Sequence, residues 1–553
     1  MTMMTVPGGR VLAIGLDGLE VSLAERLMAE GELPALAELR RRSARFLLDH
    51  GPAQRTGLAW EHVASGLSPE AAGRWAAVEF DPRTYRVWQD GAQLDPWWKD
   101  LDRRVVVFDT PYVDLRRAPN TRGIVAWGAH DPGTSAAGLP AGLLDEFLER
   151  FGRYPAAPWT YGIPWPSPER TREMGEALSR ALDVRTRAAR WLMTERLPDW
   201  DLFFVVAGEA HGAIEGLWHG VDPTHPLHTH PSGVAADAAL RAVHRGLDRM
   251  VAELTRAAGD ATVVAFAMGG MGPNHSDIQS MVLLPELLYR HAFGRSLLTV
   301  PTAWAAAPRT VPILAEDERW ETSKLVSRPA PAPVEPGALR RAARSLPIPV
   351  RAVLKGVRAG LVSWRSPAAP RRGPDLVWQP AYHYGAHWPQ MPAFALPSFY
   401  DGRIRINLRG RERDGIVEPV HYGATCRELE TLLRECRDPR TGEPAVADIE
   451  RAATRNPLAL ASSECDLLVV WRSPAAALEH PRLGLVGPVP LRRTGGHTGR
   501  HGVAYVAGRG VDPGDRGVRS AFDVAPAIAE LLGAKSRAAM SGASLLAPRP
   551  ASR

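Results

Sequence analysis

The sequence predicts an α/β fold with a mostly parallel central sheet and helices on both faces. Three observations carry that expectation. Short runs that are apolar at every position recur along the 553 residues, stretches of helical period lie between several of them, and polar residues follow their carboxyl ends. A strand that is apolar throughout is buried on both faces, which a helix-covered parallel sheet provides and a half-solvated antiparallel sheet does not.

The first run is VLAIGL, Val11–Leu16, closed by Asp17-Gly18. Residues 23–41 follow with helical period. Further runs are Val105–Phe108 before Asp109, residues 124–127, Leu202–Ala207 before Glu209, residues 262–266, and Leu467–Trp471, which is expected to re-enter the central sheet. Residues 174–196 have the period of a second long helix. Ligands of open α/β sheets gather beyond the carboxyl ends of the strands. Asp17, Glu209 and His211 fall there, which makes them site candidates from the pattern alone.

From about residue 297 the composition turns to Pro, Ala and Arg. Between Arg309 and Arg372 there are thirteen Lys/Arg against five Asp/Glu, so the net charge of +6 is local and the remainder is slightly acidic. LRRAARSL and VRAVLKGVRAGLVSW in this stretch are cationic and amphipathic, and Pro347 and Pro349 limit them to two short helices. A membrane surface or an acidic partner would suit such a segment; the plainer expectation is a solvated arm lying on its own acidic core. Next, FALPSFYDGRIRINLRGRERDGIV alternates as strands do, with a turn at Asp401-Gly402. The expected organisation is a core over 1–296, a basic arm over 297–373, an inserted α+β cap or side subdomain over 374–462, the rest of the core over 463–548, and a tail over 549–553.

Composition excludes several classes. At 45% hydrophobic residues the chain buries a large core, and it has no apolar run of about eighteen residues for a spanning helix. The leader MTMMTVPGGR lacks the features of a signal peptide, so a cytoplasmic location is expected. Cys426, Cys436 and Cys465 are odd in number and lack CxxC spacing, which argues for reduced thiols. The basic residues form no stripe interleaved with aromatics, so nucleic acid is not an expected partner.

Six segments carry a resemblance. VLAIGLDG, RTGLAWEHVASGLSPE, DLFFVVAGEAHGAIEGLWHGVDPTHP, VVAFAMGGMGPN, GGHTGRHGVAYVAG and FDVAPAIAELLGA with Ser541-Gly542 occur in that order. In order and spacing the chain resembles the type I phosphodiesterase and nucleotide pyrophosphatase branch of the alkaline phosphatase superfamily, over nearly its whole length. The resemblance implies an alkaline-phosphatase-like fold and a two-metal site in which an alkoxide attacks phosphorus in line. One ion would take the acid after the first strand, the hydroxyl nucleophile, and the Asp and His of an SDHG motif. These positions are Asp17, Thr56, Met268 and Gly269, so two of the four ligands are lost and the motif is degenerate. The other ion would take His211, Glu215 and His497, all of which keep ligand chemistry.

His211 and Glu215, at i and i+4, share one face of a helix, and two imidazoles with one carboxylate form a known type of catalytic zinc site with a position left open. The order is a departure, since the family more often has the acid first. Each residue also has a plainer role, His211 packing beside Trp218, Glu215 as a solvated helix acid, His497 as a loop histidine; their shared register with the family is what favours metal. Glu209 is an alternative ligand on the same loop. His219 and His225 match the family's WH and HP pairs and are expected to line the site or serve structure. Asn274 and His275 follow the degenerate motif closely enough to reach back, and the Gly269-Gly270 turn leaves space for a larger substrate group or a water.

Thr56 requires activation, because a threonine hydroxyl is a poor nucleophile until its proton is removed. A metal lowers the pKa of a bound water from about 15.7 to about 7, equivalent to about 12 kcal/mol; Met268 and Gly269 supply none of that. One divalent ion is therefore expected rather than two, zinc with manganese as the alternative. Two functions follow. The first is a hydrolase of a phosphodiester or phosphomonoester, acting on a small phosphorylated substrate by in-line attack of Thr56, and it is favoured because Thr56 and Asp17 are both present. The second is a catalytically degenerate pseudo-phosphodiesterase that binds a phosphorylated metabolite or a protein partner. A sulfatase is excluded, since Thr56-Gly57-Leu58-Ala59-Trp60 offers neither cysteine nor serine for the aldehyde hydrate.

Overall fold

The computed structural model describes residues 9–161, 167–314, 376–452, 456–534 and 539–548. In chain order the strands of its two larger sheets are β1 (Val11–Leu16), β2 (Ala44–Asp49), β3 (Val105–Phe108), β4 (Thr121–Val125), β5 (Ala137–Leu139), β6 (Leu202–Ala207), β7 (Thr262–Ala267), β8 (Ala393–Leu396), β9 (Gly402–Ile406), β10 (Val446–Arg451), β11 (Leu467–Trp471), β12 (His501–Ala507) and β13 (Gly514–Ser520). Nine form the central sheet, in the order β13-β2-β12-β7-β1-β6-β3-β4-β5. Five of its eight neighbouring pairs are parallel, so the sheet is mixed but mostly parallel; β12 runs against β2 and β7, and β5 against β4.

The two faces of the sheet can be read off β1. Leu12, Ile14 and Leu16 enter one core, shared with α1 (Val21–Ala29), α2 (Pro34–Arg41), α4 (Pro168–Trp191) and α6 (Gly233–Ala258). Val11 and Ala13 enter the opposite core, shared with α3 (Ala59–Ser65) and α7 (Val524–Leu531). Burying each large aliphatic side chain contributes about 1.5–3 kcal/mol, which is why continuous apolar runs settle in a sheet covered on both sides. The single helical stretch expected over 23–41 is two helices. Proline has no N–H to continue a helix, and Pro34 instead opens α2.

The side sheet is fully antiparallel, in the order β8-β9-β11-β10. Its β8 and β9 are joined through the expected turn at Asp401-Gly402, where Ser398 Oγ donates to the Asp401 carbonyl at 2.8 Å. Leu467–Trp471 corrects the expectation: it lies here as β11, not in the central sheet. A short apolar run does not declare which sheet it joins. Its neighbour decides, because the Asp466 carboxylate accepts the Ile406 N–H at 2.7 Å and pairs with Arg411, tying the start of β11 to β9. The chain returns to the central sheet at β12.

All three cysteines are buried free thiols. Both cationic amphipathic stretches of the basic arm lie outside the described residues. Among the described residues, no helix is long and apolar enough to cross a membrane.

Candidate active site

The carboxyl ends of β1, β3, β4, β6 and β7 share one edge of the sheet, and the antiparallel β12 begins there. Asp17 follows β1 directly. Helix α5 (Glu209–Leu217) follows β6 and carries His211 and Glu215 one turn apart, both buried. His497 precedes β12 on the segment Gly495–Gly499, which pairs with Gly270–Pro273 after β7. Gly18 lets these meet. It has φ +79°, and a Cβ on it would lie 2.3 Å from His211 Cα, so α5 can start against Asp17 only with glycine there.

His211 stands at the centre. Its Nδ1 lies 3.0 Å from Asp17 Oδ2, and its Nε2 lies 3.0 Å from His497 Nε2 and 3.3 Å from Glu215 Oε1. The structure thus brings together Asp17, His211, Glu215 and His497. It adds His130, on the loop after β4, which stacks on His211 with ring centres 3.8 Å apart and puts Nε2 3.3 Å from Glu215 Oε2. Donor atoms of His130, His211 and Glu215 lie within 4.8 Å of one another. Arg493 forms an ion pair with Glu215 from the side.

Charge holds the cluster together. Burial alone would raise the Asp17 carboxyl, but the charge and hydrogen bond of His211 outweigh it and keep the carboxyl below its ordinary value. Burial would likewise depress His211, yet Asp17 and Glu215 lift it to about 10. Glu215 falls well below the usual carboxylate range, because Arg493, His130 and His211 overcome its desolvation. Burial, with the charge of His211, pushes His497 down to about 3. The ring nitrogens of His211 and His497 face each other at 3.0 Å, a contact that one proton between them bridges. Imidazoles, two carboxylates and a dry surrounding are a donor set that fits a borderline divalent ion, which would displace that proton on binding.

Thr56 is buried at the end of the 3-10 turn Gly51–Thr56, just before α3. Its hydroxyl donates to the Ala53 carbonyl at 2.8 Å and accepts the Leu58 N–H at 3.2 Å, so it is turned inward rather than joined to the cluster. A cavity of about 40 Å³ beside the cluster is lined by Asp17, Gln54, Gly57, His130, His211, Met268, Gly269, Tyr400 and His497. Gln54 and Gly57, either side of Thr56, reach it.

Other sequence candidates lie elsewhere. Glu209 is engaged with Arg185, at 2.9 and 3.0 Å. His219 bonds Ser232 at 3.1 Å, a structural role. Asn274 donates to the Gly495 carbonyl and accepts from Ser276 and Asp277, and so does not reach back; His275 lines a separate outer cavity of about 320 Å³. The space left by Gly269 is faced by Gln54, whose amide donates to the carbonyls of His497 and Gly499. His130, Tyr400 and Arg493 escaped the sequence-based selection. A polar residue closely following an apolar run is a signal His130 shares with Asp17, whereas Tyr400 and Arg493 offer none of that kind.

The model of the type I phosphodiesterase / nucleotide pyrophosphatase family matches residues 11–330 of this chain, more than half of it. No curated protein matches the sequence. Among solved structures, the wild-type alkaline phosphatase PafA is 12% identical, with 98% of this chain and 99% of that chain covered at a TM-score of 0.51, which shows the shared fold. Phosphonoacetate hydrolase from Sinorhizobium meliloti is 14% identical, covering 96% of each chain at 0.47. Human ectonucleotide pyrophosphatase/phosphodiesterase 5 is 10% identical, covering 95% of this chain and 96% of that one at 0.43. The chain therefore belongs to the type I phosphodiesterase/nucleotide pyrophosphatase family, and its central sheet has the alkaline-phosphatase-like fold.

Proposed function

We propose that this member of a family of phosphoric ester hydrolases is a metal-dependent hydrolase of a phosphodiester or phosphomonoester, with one ion, zinc or manganese, at His211, Glu215 and His497, and with Thr56 as the nucleophile. The observation that carries the proposal is the convergence of Asp17, His211, Glu215 and His497 from three separate segments beside one cavity.

When bound, the ion would polarise a phosphoryl oxygen and neutralise the charge that develops on it. His211, Glu215 and His497 would hold it. Asp17 accepts from Nδ1 of His211, fixing the tautomer that leaves Nε2 facing the ion, and a carboxylate behind a ligand histidine also raises its basicity. Thr56 attacks phosphorus after its hydroxyl leaves the Ala53 carbonyl by a change of rotamer, at a cost of about 0.5–1.5 kcal/mol for the hydrogen bond. Asp17, ionised at the same edge, receives the proton. The opposite ester P–O bond breaks, the alkoxide departs and takes a proton from water, and a water molecule then cleaves the Thr56 phosphoester to restore the hydroxyl. Met268 and Gly269 border the cavity without an oxygen or imidazole nitrogen to give, so the second ion's place is impaired.

Two observations favour a second reading, a pseudo-phosphodiesterase that binds a phosphorylated metabolite or a protein partner: the inward bond of Thr56 and the grip of Arg493 on Glu215. Turnover of bis(p-nitrophenyl) phosphate by the zinc-loaded protein separates them. The hydrolase is expected to turn over, to lose at least about 1,000-fold in Thr56→Ala and to keep measurable activity in Thr56→Ser. A zinc-loaded wild-type protein that binds AMP but turns nothing over favours the second reading.

A further inference from the structure

Five non-glycine residues among those described have a left-handed backbone, and four of them, Asp109 (φ 56°), Tyr112 (58°), Ala126 (58°) and Asp131 (45°), flank the path of one loop. Each costs on the order of 1–3 kcal/mol and persists only where its surroundings impose it. At Asp109 the surroundings are a fully buried charged unit. Asp109 accepts the N–H groups of Trp127 and Gly128, each at 2.7 Å. Arg185, on α4, donates to Asp109 Oδ2 at 2.9 Å, to the carbonyls of Val206 and Gly128 at 3.0 and 3.3 Å, and to both oxygens of Glu209 at 2.9 and 3.0 Å.

One guanidinium thus fastens the loop that delivers His130 to the first residue of the helix that carries His211 and Glu215. The loop also abuts the start of that helix, for a Cβ on Gly208 would lie 3.3 Å from His130 N. Burying three charges costs several kcal/mol per ion before pairing repays it, so stability alone is a weak reason for the unit. What it fixes is position. His130 Nε2 faces Glu215 Oε2 while His211 Nε2 faces Oε1, each at 3.3 Å, so the two rings address one carboxylate from neighbouring positions.

We propose that His130 is a further ligand of the ion that His211, Glu215 and His497 would hold, and that the Asp109, Arg185 and Glu209 unit is what presents it. The proposal rests on the ion site described under Proposed function. Arg185 is on this account a positioning residue, acting through His130.

The test titrates zinc into the full-length metal-free protein by calorimetry and records the visible spectrum of the cobalt-loaded protein, which reports the number and kind of ligands. His130→Ala is expected to weaken zinc binding about 10–100-fold and to change the cobalt band. Arg185→Lys, which keeps the charge and loses the fork, is expected to weaken zinc about 10-fold; Asp109→Asn, which keeps the shape, provides the same measurement should the lysine variant not fold. If the wild type binds zinc and His130→Ala binds it equally with an unchanged cobalt spectrum, His130 is no ligand and the proposal fails while the ion site stands. If His130→Ala weakens binding but neither Arg185→Lys nor Asp109→Asn does, the positioning role is refuted. A wild type that binds neither metal overturns the ion site as well.

Discussion

At Thr56 the sequence and the geometry state different things about one side chain. Its place at the end of the 3-10 turn, ahead of α3, is the one the resemblance assigns to the hydroxyl nucleophile, while its hydroxyl donates to the Ala53 carbonyl, because a free rotamer takes the nearest acceptor. Asp17, His211, Glu215 and His497 were legible since a motif in fixed register names single residues. Arg493 was not, because it meets Glu215 across 278 residues, and no spacing in the chain encodes that contact. His130 lies 85 residues from Glu215 and was in the same position, despite the cue of the strand before it. At this scale Asp401 yields a pH prediction. Burial lifts its carboxyl to about 6 against the opposing charge of Arg55, with Glu450 adding to the rise. An acid that holds its proton more tightly folded than unfolded imposes no penalty below its ordinary 3.8, and a penalty that grows with pH until it is complete above about 6. That amounts to about 3 kcal/mol at about 1.36 kcal/mol per unit. Asp401→Asn is therefore expected to flatten the fall in melting temperature between pH 4 and pH 6 and to melt higher than the wild type at pH 7; calorimetric scans across that range check it.

Among the elements, the runs of β1, β3 and β6 were legible because burial on both faces leaves no polar position in them. β1, β3 and β6 have the expected bounds, and β7 extends one residue further. The expected strand over 124–127 is shifted to Thr121–Val125, since Ala126 turns left-handed and ends it early. Leu467–Trp471 was legible as a strand but not as a member of its sheet, because partner choice is set by Asp466 and Arg411 rather than by the run itself. The junction of β1 with α5 supports a prediction at this scale. Gly18→Ala would drive a methyl group into the His211 backbone in a left-handed conformation, so it is expected to destabilise the protein by about 1–3 kcal/mol and to weaken zinc binding by displacing His211. Urea unfolding of the metal-free variant, compared with a zinc titration of the same protein, measures both effects. Wild-type stability with wild-type zinc binding would show that the close approach is not what seats the helix.

Across the whole molecule, the side sheet leans over the edge where the cluster forms. Arg55, next to Thr56, reaches Asp401 at 3.1 Å and pairs with Glu450, linking the turn that ends at Thr56 to the β8–β9 turn and to β10. Tyr400 lies against Gly57, whose missing Cβ would sit 2.5 Å from the ring, and meets His497 with ring centres 5.1 Å apart. The inner cavity of about 40 Å³ and the outer one of about 320 Å³ share Gln54, Tyr400 and His497 on their walls, so the two spaces are neighbours. This arrangement was not legible in the sequence, for alternation in the side sheet predicts strands without saying which edge of the core they cover. The proposed single ion where three segments of the chain meet is tested most directly by the zinc and manganese content per chain of the purified protein, by elemental analysis, for the wild type and for His211→Ala. The expected result is one ion in the wild type and none in the variant; neither metal in the wild type, or an unchanged content in His211→Ala, would contradict it.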